Sequence, residues 1–446
     1  MNLKKKSVFT ILTLAFPSIV ENIMYVLLGV VDIYFVGKLG TEAIAGVGIT
    51  NLTMNISIAF FLALGIGTTA FISRYAGQKD LEKLNMALHG TLKLSILIGL
   101  FWGLINLLFA RNILELLGAK KDVLQYALPY FIAVAVPSVF LSVQITLASV
   151  LRGLGDTKTA MKIAGVSNLI NVVLDYILIF GLFNFSGLGI LGAGIATTTA
   201  RIFSVSLLIK GIKIHDTLFQ LSFESLLKPQ KNFIKNLLNI SLPAAAEKLI
   251  MRSGQVIYGS MIISIGTKAY AAHNIAGTIE TFSYLPGMGF GVAAATLVGQ
   301  SLGEKNKATA KQFAKDAYLL SAGFMVFLGL FFYIFAPSLA KLFTKDPLVV
   351  KQVVDVLRII AFFQPFLAIT LVITSALQGA GDTKFPMMTS LIGIWGIRVL
   401  GVYILCVKMD YGLTAVWSVY ALDIFVRGCI LMSRFLKGKW QDINLT

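Results

Sequence analysis

The sequence predicts an all-α integral membrane protein with twelve transmembrane helices in two six-helix lobes. Hydrophobic residues make up 57% of its 446 residues and charged residues only 13%, which does not suit a soluble surface. Twelve apolar stretches reach the roughly 20 residues that a helix needs to cross the hydrocarbon. The run Leu151-Arg-Gly-Leu-Gly-Asp-Thr-Lys158 also returns 226 positions later as Leu377-Gln-Gly-Ala-Gly-Asp-Thr-Lys384. A period of half the chain indicates a duplicated half-molecule.

The same shift of 226 relates other landmarks of the two halves. It pairs Pro17 with Pro243, Glu21 with Glu247 and Gly40 with Gly266. In the second span of each half, Gly65 and Gly67 match Gly287 and Gly289 at an offset of 222, which a short loop deletion would explain. Because each half has an even number of spans, the halves are predicted to be parallel repeats related by an axis along the membrane normal.

The predicted spans follow one another along the chain, six on each side of a polar stretch between 210 and 235. Their cores are 10–36, 48–73, 88–109, 123–149, 161–183, 189–210, 236–265, 272–297, 317–338, 351–378, 386–407 and 413–434. We therefore predict an N-terminal six-helix lobe at 1–210, a cytoplasmic linker at 211–235 and a C-terminal six-helix lobe at 236–446.

The distribution of basic residues predicts the orientation of the chain in the membrane. The loops on one side carry about 22 lysines and arginines and those on the other side about 9, which places both termini in the cytoplasm. The net charge of +17 is explained by these loops, so we expect no nucleic-acid partner. The expected location is the plasma membrane, or the inner membrane of a cell that has two.

Charged and amide side chains inside predicted spans are the strongest functional signal, since the bilayer disfavours them. Span one carries Glu21, Tyr25 and Asp32 on one helical stripe, and span five carries Asn168, Asn171 and Asp175 at steps of three and four. The predicted topology brings Asp32, Asn171, Asp175 and Thr197 of span six to similar depth in the outer half of the membrane. These residues are the predicted site for a coupling proton or cation.

Less specific interpretations of these residues stay open. Asp32 and Asp175 could be buried acids satisfied by neighbouring polar groups, and Glu21, Tyr25 and Asn168 are candidate modulators. Arg201 could be the counter-ion of Asp175 or a packing cation bonded to backbone carbonyls.

The second lobe does not repeat the acid cluster. Tyr258 stands in the place of Asp32, and Gly401 in the place of Asp175. This lobe carries Glu247, Glu280 and Arg398 among charged residues of both signs. We predict mutual pairing or gating for them rather than a second ion site.

The chain offers no arrangement typical of an enzyme. Its three histidines, His89, His215 and His273, are scattered, and no His-Glu-x-x-His or Cys-His pattern occurs. The repeated motif lacks Walker A spacing, and the two cysteines do not form a metal-ligand pattern. We therefore expect no catalysis, no metal centre and no cofactor, and a membrane-embedded enzyme is the alternative from another functional class.

Several motifs, in their order along the chain, resemble the multidrug and toxin extrusion (MATE) family. They are Val31-Asp32-Ile-Tyr-Phe-Val-Gly37, Asn171-Val-Val-Leu-Asp175, Gly299-Gln300-Ser-Leu-Gly303 and the repeated Gly-x-Gly-Asp-Thr-Lys. The resemblance covers nearly the whole chain. The Asn-x-x-x-Asp pattern is similar to the DinF-like branch, and this resemblance implies a cation site at Asp32, Asn171, Asp175 and Thr197.

The sequence departs from the NorM-like branch of that family, which has acids in spans seven and ten. Span ten contains no carboxylate between Leu357 and Gln378, and Leu367 occupies the corresponding place. Glu247 in span seven lies one turn closer to Pro243 than the acid of that branch.

The resemblance implies a secondary antiporter that exports small amphipathic, often cationic, compounds in exchange for H⁺ or Na⁺, acting as a monomer. A flippase for lipid-linked precursors is the alternative within the same superfamily. Burial among apolar helices disfavours a charged carboxyl, which favours H⁺. Na⁺ held by Asp32, Asn171 and Asp175 remains the alternative, because their oxygens are suitable ligands and Arg201 would oppose a second cation.

Overall fold

The protein is predominantly helical, and the computed structural model describes residues 3–182, 185–215, 218 and 223–445. The first half comprises seven helices, one short hairpin and the small helix that follows them. These are α1 (Leu3–Gly37), α2 (Thr41–Gln78), α3 (Leu81–Leu116), α4 (Lys121–Ala135), α5 (Ser138–Leu154), α6 (Thr157–Phe180), β1 (Gly181–Leu182), β2 (Phe185–Ser186), α7 (Ile190–Lys213) and α8 (Phe223–Leu227).

The second half has the same order of long helices. Its π-helical turns lie in the tenth and eleventh spans of the chain. Its α-helices are α9 (Lys231–Ile265), α10 (Thr267–Gly303), α11 (Lys307–Phe343), α12 (Pro347–Ala368), α13 (Thr374–Gly379), α14 (Lys384–Ser390), α15 (Leu400–Val402) and α16 (Leu413–Lys437). The π-helical stretches are Ile369–Ile373, Leu391–Val399 and Tyr403–Lys408. A 3₁₀ turn at Lys439–Asp442 follows α16.

The predicted all-α membrane fold is confirmed, with a qualification on one span. Among the described residues, ten helices are long and apolar enough to cross a membrane, and the pair α4 and α5, bent by 47°, makes an eleventh. The predicted seventh span is α9, which is 35 residues long but does not reach the same apolarity. Polar and charged residues interrupt its sequence, among them Glu247, Lys248 and Arg252.

The chain forms two compact units whose bounds differ from the predicted lobes. The N-unit is Val20–Leu242, and the C-unit consists of Met1–Ile19 and Pro243–Leu445. The first helix of each half therefore belongs to both units, and each changes unit close to a proline, Pro17 or Pro243. The predicted linker at 211–235 contains α8 and the start of α9, and it falls within the N-unit.

Glycine contacts show how these helix starts pack into their units. A Cβ at Gly289 of α10 would lie 2.4 Å from Ile19 Cγ1 and 3.0 Å from the Ala15 carbonyl oxygen of α1. A Cβ at Gly67 of α2 would lie 2.4 Å from Ser241 Oγ of α9. In each unit the second helix of one half thus makes a close backbone approach to the first helix of the other half.

A second pair of glycine contacts corrects the repeat alignment. A Cβ at Gly65 would lie 2.6 Å from Ser149 Oγ, and one at Gly291 would lie 2.6 Å from Ser375 Oγ. Gly65 is therefore equivalent to Gly291, at the offset of 226, and not to Gly287. The predicted short loop deletion is wrong, because helix packing and not the glycine pattern decides which positions correspond.

The repeated Gly-x-Gly-Asp-Thr-Lys motif ends one helix and precedes the next. Gly155 terminates α5 with φ of 90°, and Asp156 caps α6 by accepting a hydrogen bond from the Thr159 backbone N–H at 3.0 Å. Gly381 has a similar φ of 94° in the second half. There Asp382 accepts from Arg434 instead, at 2.9 Å.

Candidate functional site

The two acids predicted to form the site lie together in the N-unit. Asp32 is five residues before the end of α1 at Gly37, and Asp175 is five residues before the end of α6 at Phe180. Their carboxyl groups lie close enough to interact with each other. Asp175 is almost completely buried, with 1% of its surface exposed, and Asp32 is half-buried. The structure therefore brings two carboxyls into one low-dielectric site.

Polar atoms of this site lack partners within the described parts of the chain. Oδ1 of Asp32 and both carboxyl oxygens of Asp175 accept no hydrogen bond, and the Nδ2 atoms of Asn168 and Asn171 donate none. Buried polar atoms in folded proteins are nearly always bonded. Unfilled acceptors beside unfilled donors therefore indicate a place for a proton, a cation or ordered water.

Thr197 lies on α7 but is not bonded to the acids. Its hydroxyl donates to the Ala193 carbonyl oxygen, one turn back, at 2.9 Å. The hydroxyl of Thr198 donates to the Ala133 carbonyl of α4 at 2.6 Å. The Thr197 oxygen keeps a lone pair, so it can serve as an additional ligand but does not hold the carboxyls in place.

Arg201 binds the backbone of α4. Its Nη1 donates to the Val134 carbonyl oxygen at 3.1 Å, and its charge acts on Asp32 and on Tyr130. Among the described residues it forms no ion pair with Asp175. The geometry thus agrees with the packing interpretation of Arg201, and Asp175 has no cationic partner among the described residues.

Tyr130 of α4 is a member of this site that the sequence analysis missed. It is 8% exposed, and it lies close enough to Asp32, Asp175 and Arg201 for their charges to act on its hydroxyl group. A Cβ at Gly194 of α7 would lie 2.6 Å from Ala133 Cβ and 3.3 Å from the Tyr130 carbonyl oxygen, so glycine permits this close approach of α7 to α4. A tyrosine in an apolar span, next to Pro129, was the available signal.

Glu21, a predicted modulator, forms an ion pair in the same unit. Its Oε1 accepts from Arg152 Nη2 at 2.6 Å, and its side chain is 3% exposed. Arg152 belongs to the repeated motif and is one of the basic loop residues that indicate topology. Tyr25, one turn further along α1, is 41% exposed.

Three of the charged residues of the C-unit, Arg398, Asp423 and Arg427, pair with one another. Asp423 of α16 accepts from Arg398 and from Arg427, the latter through Nε at 2.7 Å. The guanidinium of Arg398 also stacks on the Tyr420 ring, 4.2 Å from its centroid. Glu280 accepts from the Tyr420 hydroxyl at 2.9 Å. These groups satisfy each other in the position that corresponds to the acid cluster of the N-unit.

Among the described residues, Glu247 accepts hydrogen bonds from neutral side chains only. Its Oε2 accepts from Gln378 Nε2 at 2.7 Å, and its Oε1 accepts from Ser390 Oγ at 3.5 Å. All three side chains are at least 95% buried. No cation lies within ion-pair distance of this carboxyl in the described chain.

The comparison with known protein families agrees with this two-unit architecture. The MatE family model matches residues 17–177 and again 243–404, which are the two halves of the repeat. The chain belongs to the MatE family. The two matches begin at Pro17 and Pro243, and they contain Asp32 and Asp175 in the first half and Glu247 in the second.

Similar proteins are found over nearly the full length of this MatE chain. The "Probable multidrug resistance protein NorM" of Thermotoga maritima is 30% identical over 97% of the chain and 92% of the relative. The "Uncharacterized transporter YisQ" of Bacillus subtilis is 24% identical over 97% of the chain and 95% of the relative. A crystal structure described as MATE in the straight conformation superposes with a TM-score of 0.89 at 22% identity, covering 97% of each chain. The protein is thus a multi-pass membrane transporter with the MatE fold.

Proposed function

We propose that this MatE transporter is a secondary active multidrug exporter. It exchanges small amphipathic, often cationic, compounds for H⁺, acts as a monomer in the plasma or inner membrane and has both termini in the cytoplasm. The observation that carries the proposal is the pair Asp32 and Asp175, three of whose four carboxyl oxygens lack a donor among the described residues. Such a pair binds a positive ion on one side of the membrane and releases it on the other.

Two further observations support an exporter of this kind. The name of the Thermotoga maritima relative, "Probable multidrug resistance protein NorM", associates a similar chain with drug resistance. The negative charge of the site also suits cationic compounds, because binding of the coupling ion neutralises the charge that attracts them. Binding of the ion and binding of the substrate would then exclude each other, as antiport requires.

The geometry favours H⁺ over Na⁺ as the coupling ion. Two interacting carboxyls can share one proton, because the protonated carboxyl can donate to the ionised one. Na⁺ needs several oxygen ligands, which Asp32, Asn171 and Asp175 could supply. The positive charge of Arg201 acts on Asp32, however, and would repel a metal ion more than a proton shared between the two acids.

Export from intact cells tests this function. Cells that produce the protein should accumulate less of an amphipathic cationic dye such as ethidium, and a protonophore should remove the difference. Asp32→Asn and Asp175→Asn should abolish export at normal membrane expression, because each removes a charge and keeps the volume. Asp122→Asn is the matched control, since Asp122 is an exposed acid of the N-unit at the start of α4. Wild-type export by both site variants would refute the proposal.

A further inference from the structure

The fourth span is interrupted within the N-unit, and the interruption frees backbone carbonyl groups. α4 ends at Ala135, α5 begins at Ser138, and the two helices are bent by 47°. Pro137 lies in the break and has no backbone N–H, so it cannot donate to the Ala133 carbonyl oxygen four residues earlier. The last carbonyl groups of a helix carry partial negative charge, and this end of α4 therefore attracts positive groups.

Side chains of α7 bind these carbonyl groups. The Thr198 hydroxyl donates to the Ala133 carbonyl oxygen at 2.6 Å. Arg201, almost one turn further along α7, donates through Nη1 to the Val134 carbonyl oxygen at 3.1 Å. The hydroxyl is neutral, whereas the guanidinium is permanently charged. The end of α4 therefore already holds a cation that belongs to the chain itself.

Arg201 lies near the acid pair as well as near this helix end. Its charge acts on Asp32 and on Tyr130, which is in the second half of α4. The charges of Asp32 and Asp175 in turn act on Tyr130. No ion pair of the described residues joins Arg201 to Asp32. The guanidinium is thus close to the acid pair without being bonded to it.

The oxygen atoms around Arg201 are of the kinds that a metal ion would use. Oδ1 of Asp32 and both carboxyl oxygens of Asp175 accept no hydrogen bond from the described chain, and the Thr197 oxygen keeps a lone pair. Hard cations prefer such oxygens, and the carbonyl groups of interrupted helices bind Na⁺ in membrane transporters. Arg201 opposes such an ion in two ways, because it occupies the Val134 carbonyl and places a like charge beside the carboxyls.

We propose that Arg201 determines the ion specificity of this transporter. Its guanidinium is a tethered cation that takes the place of a metal ion at the end of α4 and leaves the acid pair to a proton. A proton needs one carboxyl oxygen, whereas Na⁺ needs several oxygens around a volume of its own. Replacement of Arg201 by a smaller neutral residue frees both that volume and the Val134 carbonyl. The inference rests on the proton-coupled export proposed above, although ion binding itself can be measured without transport.

Na⁺ binding can be measured by thermal unfolding of the purified full-length protein in NaCl and in choline chloride of equal concentration. An ion that binds the folded state raises the melting temperature as its concentration rises. We expect the wild type to melt at the same temperature in both salts. Arg201→Ala should melt at a higher temperature in NaCl, with an affinity for Na⁺ at least about tenfold above that of the wild type, because a like charge beside the site is removed.

Three further variants separate ion specificity from a purely structural role of Arg201. Arg201→Lys keeps a tethered cation and should show no response to Na⁺. Lys210→Ala removes an exposed cation from the same helix and should behave like the wild type. The double variant with Arg201→Ala and Asp32→Asn should lose the response to Na⁺, because Asp32 supplies one of the ligands.

Arg201→Gln provides the same test if Arg201→Ala does not fold. The glutamine amide N–H can still donate to the Val134 carbonyl oxygen and hold the end of α4, while the positive charge is lost. Arg201→Gln should therefore also melt at a higher temperature in NaCl than in choline chloride.

Equal melting temperatures in the two salts for Arg201→Ala and Arg201→Gln would overturn the proposal, and a purely structural arginine predicts this result. A response to Na⁺ of the same size in the wild type would overturn it as well. In liposomes, a Na⁺ gradient alone should drive export by Arg201→Gln but not by the wild type. Absence of export from both proteins, with the response of the variant to Na⁺ intact, would refute the proposed export function and not the role of Arg201.

Discussion

At the scale of single residues, two classes of acid in this MatE protein are distinguished by their partners. Glu21 and Asp423 have arginine partners, and these pairs hold helices together. Asp32 and Asp175 have no ion-pair partner in the described chain, and the proposed proton binding belongs to them. The distinction predicts opposite consequences of neutralisation, namely lost stability for the first class and lost coupling for the second.

Asp423→Asn tests the first class. It removes the acceptor between Arg398 and Arg427, both less than 10% exposed, and leaves two guanidinium groups without a counter-charge. Breaking a buried pair in this way costs about 3–5 kcal/mol. Thermal unfolding of the purified variant should therefore begin at a markedly lower temperature than for wild type or Asp122→Asn. Equal melting temperatures would show that the Arg398–Asp423–Arg427 cluster does not stabilise the C-unit.

At the scale of helices, the cap of α6 gives a pH-dependent contribution to stability. Partial burial alone would raise the pKa of the Asp156 carboxyl, but hydrogen bonds from Thr159 and His215 outweigh it and lower the pKa below its usual value. A group with a lowered pKa stabilises the fold above its unfolded pKa, and the contribution is lost as the pH falls through the folded value.

Asp156→Ala should therefore destabilise the protein by about 1 kcal/mol at pH 7, through loss of the cap. The difference from wild type should persist down to about pH 4, the usual pKa of aspartate, and shrink below it. Asp156→Asn is the control, because asparagine caps a helix equally well but does not titrate. Melting curves at a series of pH values measure the stability of both variants relative to the wild type. If the difference between Asp156→Ala and the wild type did not depend on pH, capping by an ionised Asp156 would be excluded.

The two glycine-serine crossings test the structural equivalence of the halves. Gly65→Ala and Gly291→Ala should each destabilise by about 1–3 kcal/mol, because the new Cβ would lie 2.6 Å from a serine Oγ. Ser149→Ala and Ser375→Ala should restore most of the loss in the respective double variants. Gly48→Ala and Gly277→Ala on the same helices are matched controls, since nothing lies within 4 Å of a Cβ there. If Gly65→Ala and Gly291→Ala melted at the same temperature as the wild type, these contacts would be contradicted.

At the scale of the whole molecule, two copies of one helical framework carry different chemistry. The N-unit contains the unpartnered acid pair, and the C-unit has a self-satisfied cluster of Arg398, Asp423 and Glu280 in the corresponding place. The framework is maintained by contacts common to both halves, such as those of Gly65 and Gly291. Duplication therefore preserved the packing, while charged positions diverged.

The spans, the repeat and the closeness of Asp32 to Asp175 could be predicted from the sequence. Helix periodicity and the direction of each span determine which polar side chains lie at the same depth in the membrane. It did not predict contacts that depend on tertiary packing. Arg152 was interpreted as a topology signal although it is the partner of Glu21, and Tyr130 was indistinguishable from other aromatic residues of an apolar span. The assignment of the start of α1 to the C-unit likewise follows from side-chain packing around Ile19, which no local pattern records.

The most direct test of proton-coupled export uses the purified protein in liposomes. An inward pH gradient alone, in nominally Na⁺-free buffer, should drive movement of a cationic substrate in the opposite direction, and Asp32→Asn and Asp175→Asn should abolish it. Transport that requires a Na⁺ gradient, or that survives in both variants, would contradict proton coupling through this carboxyl pair.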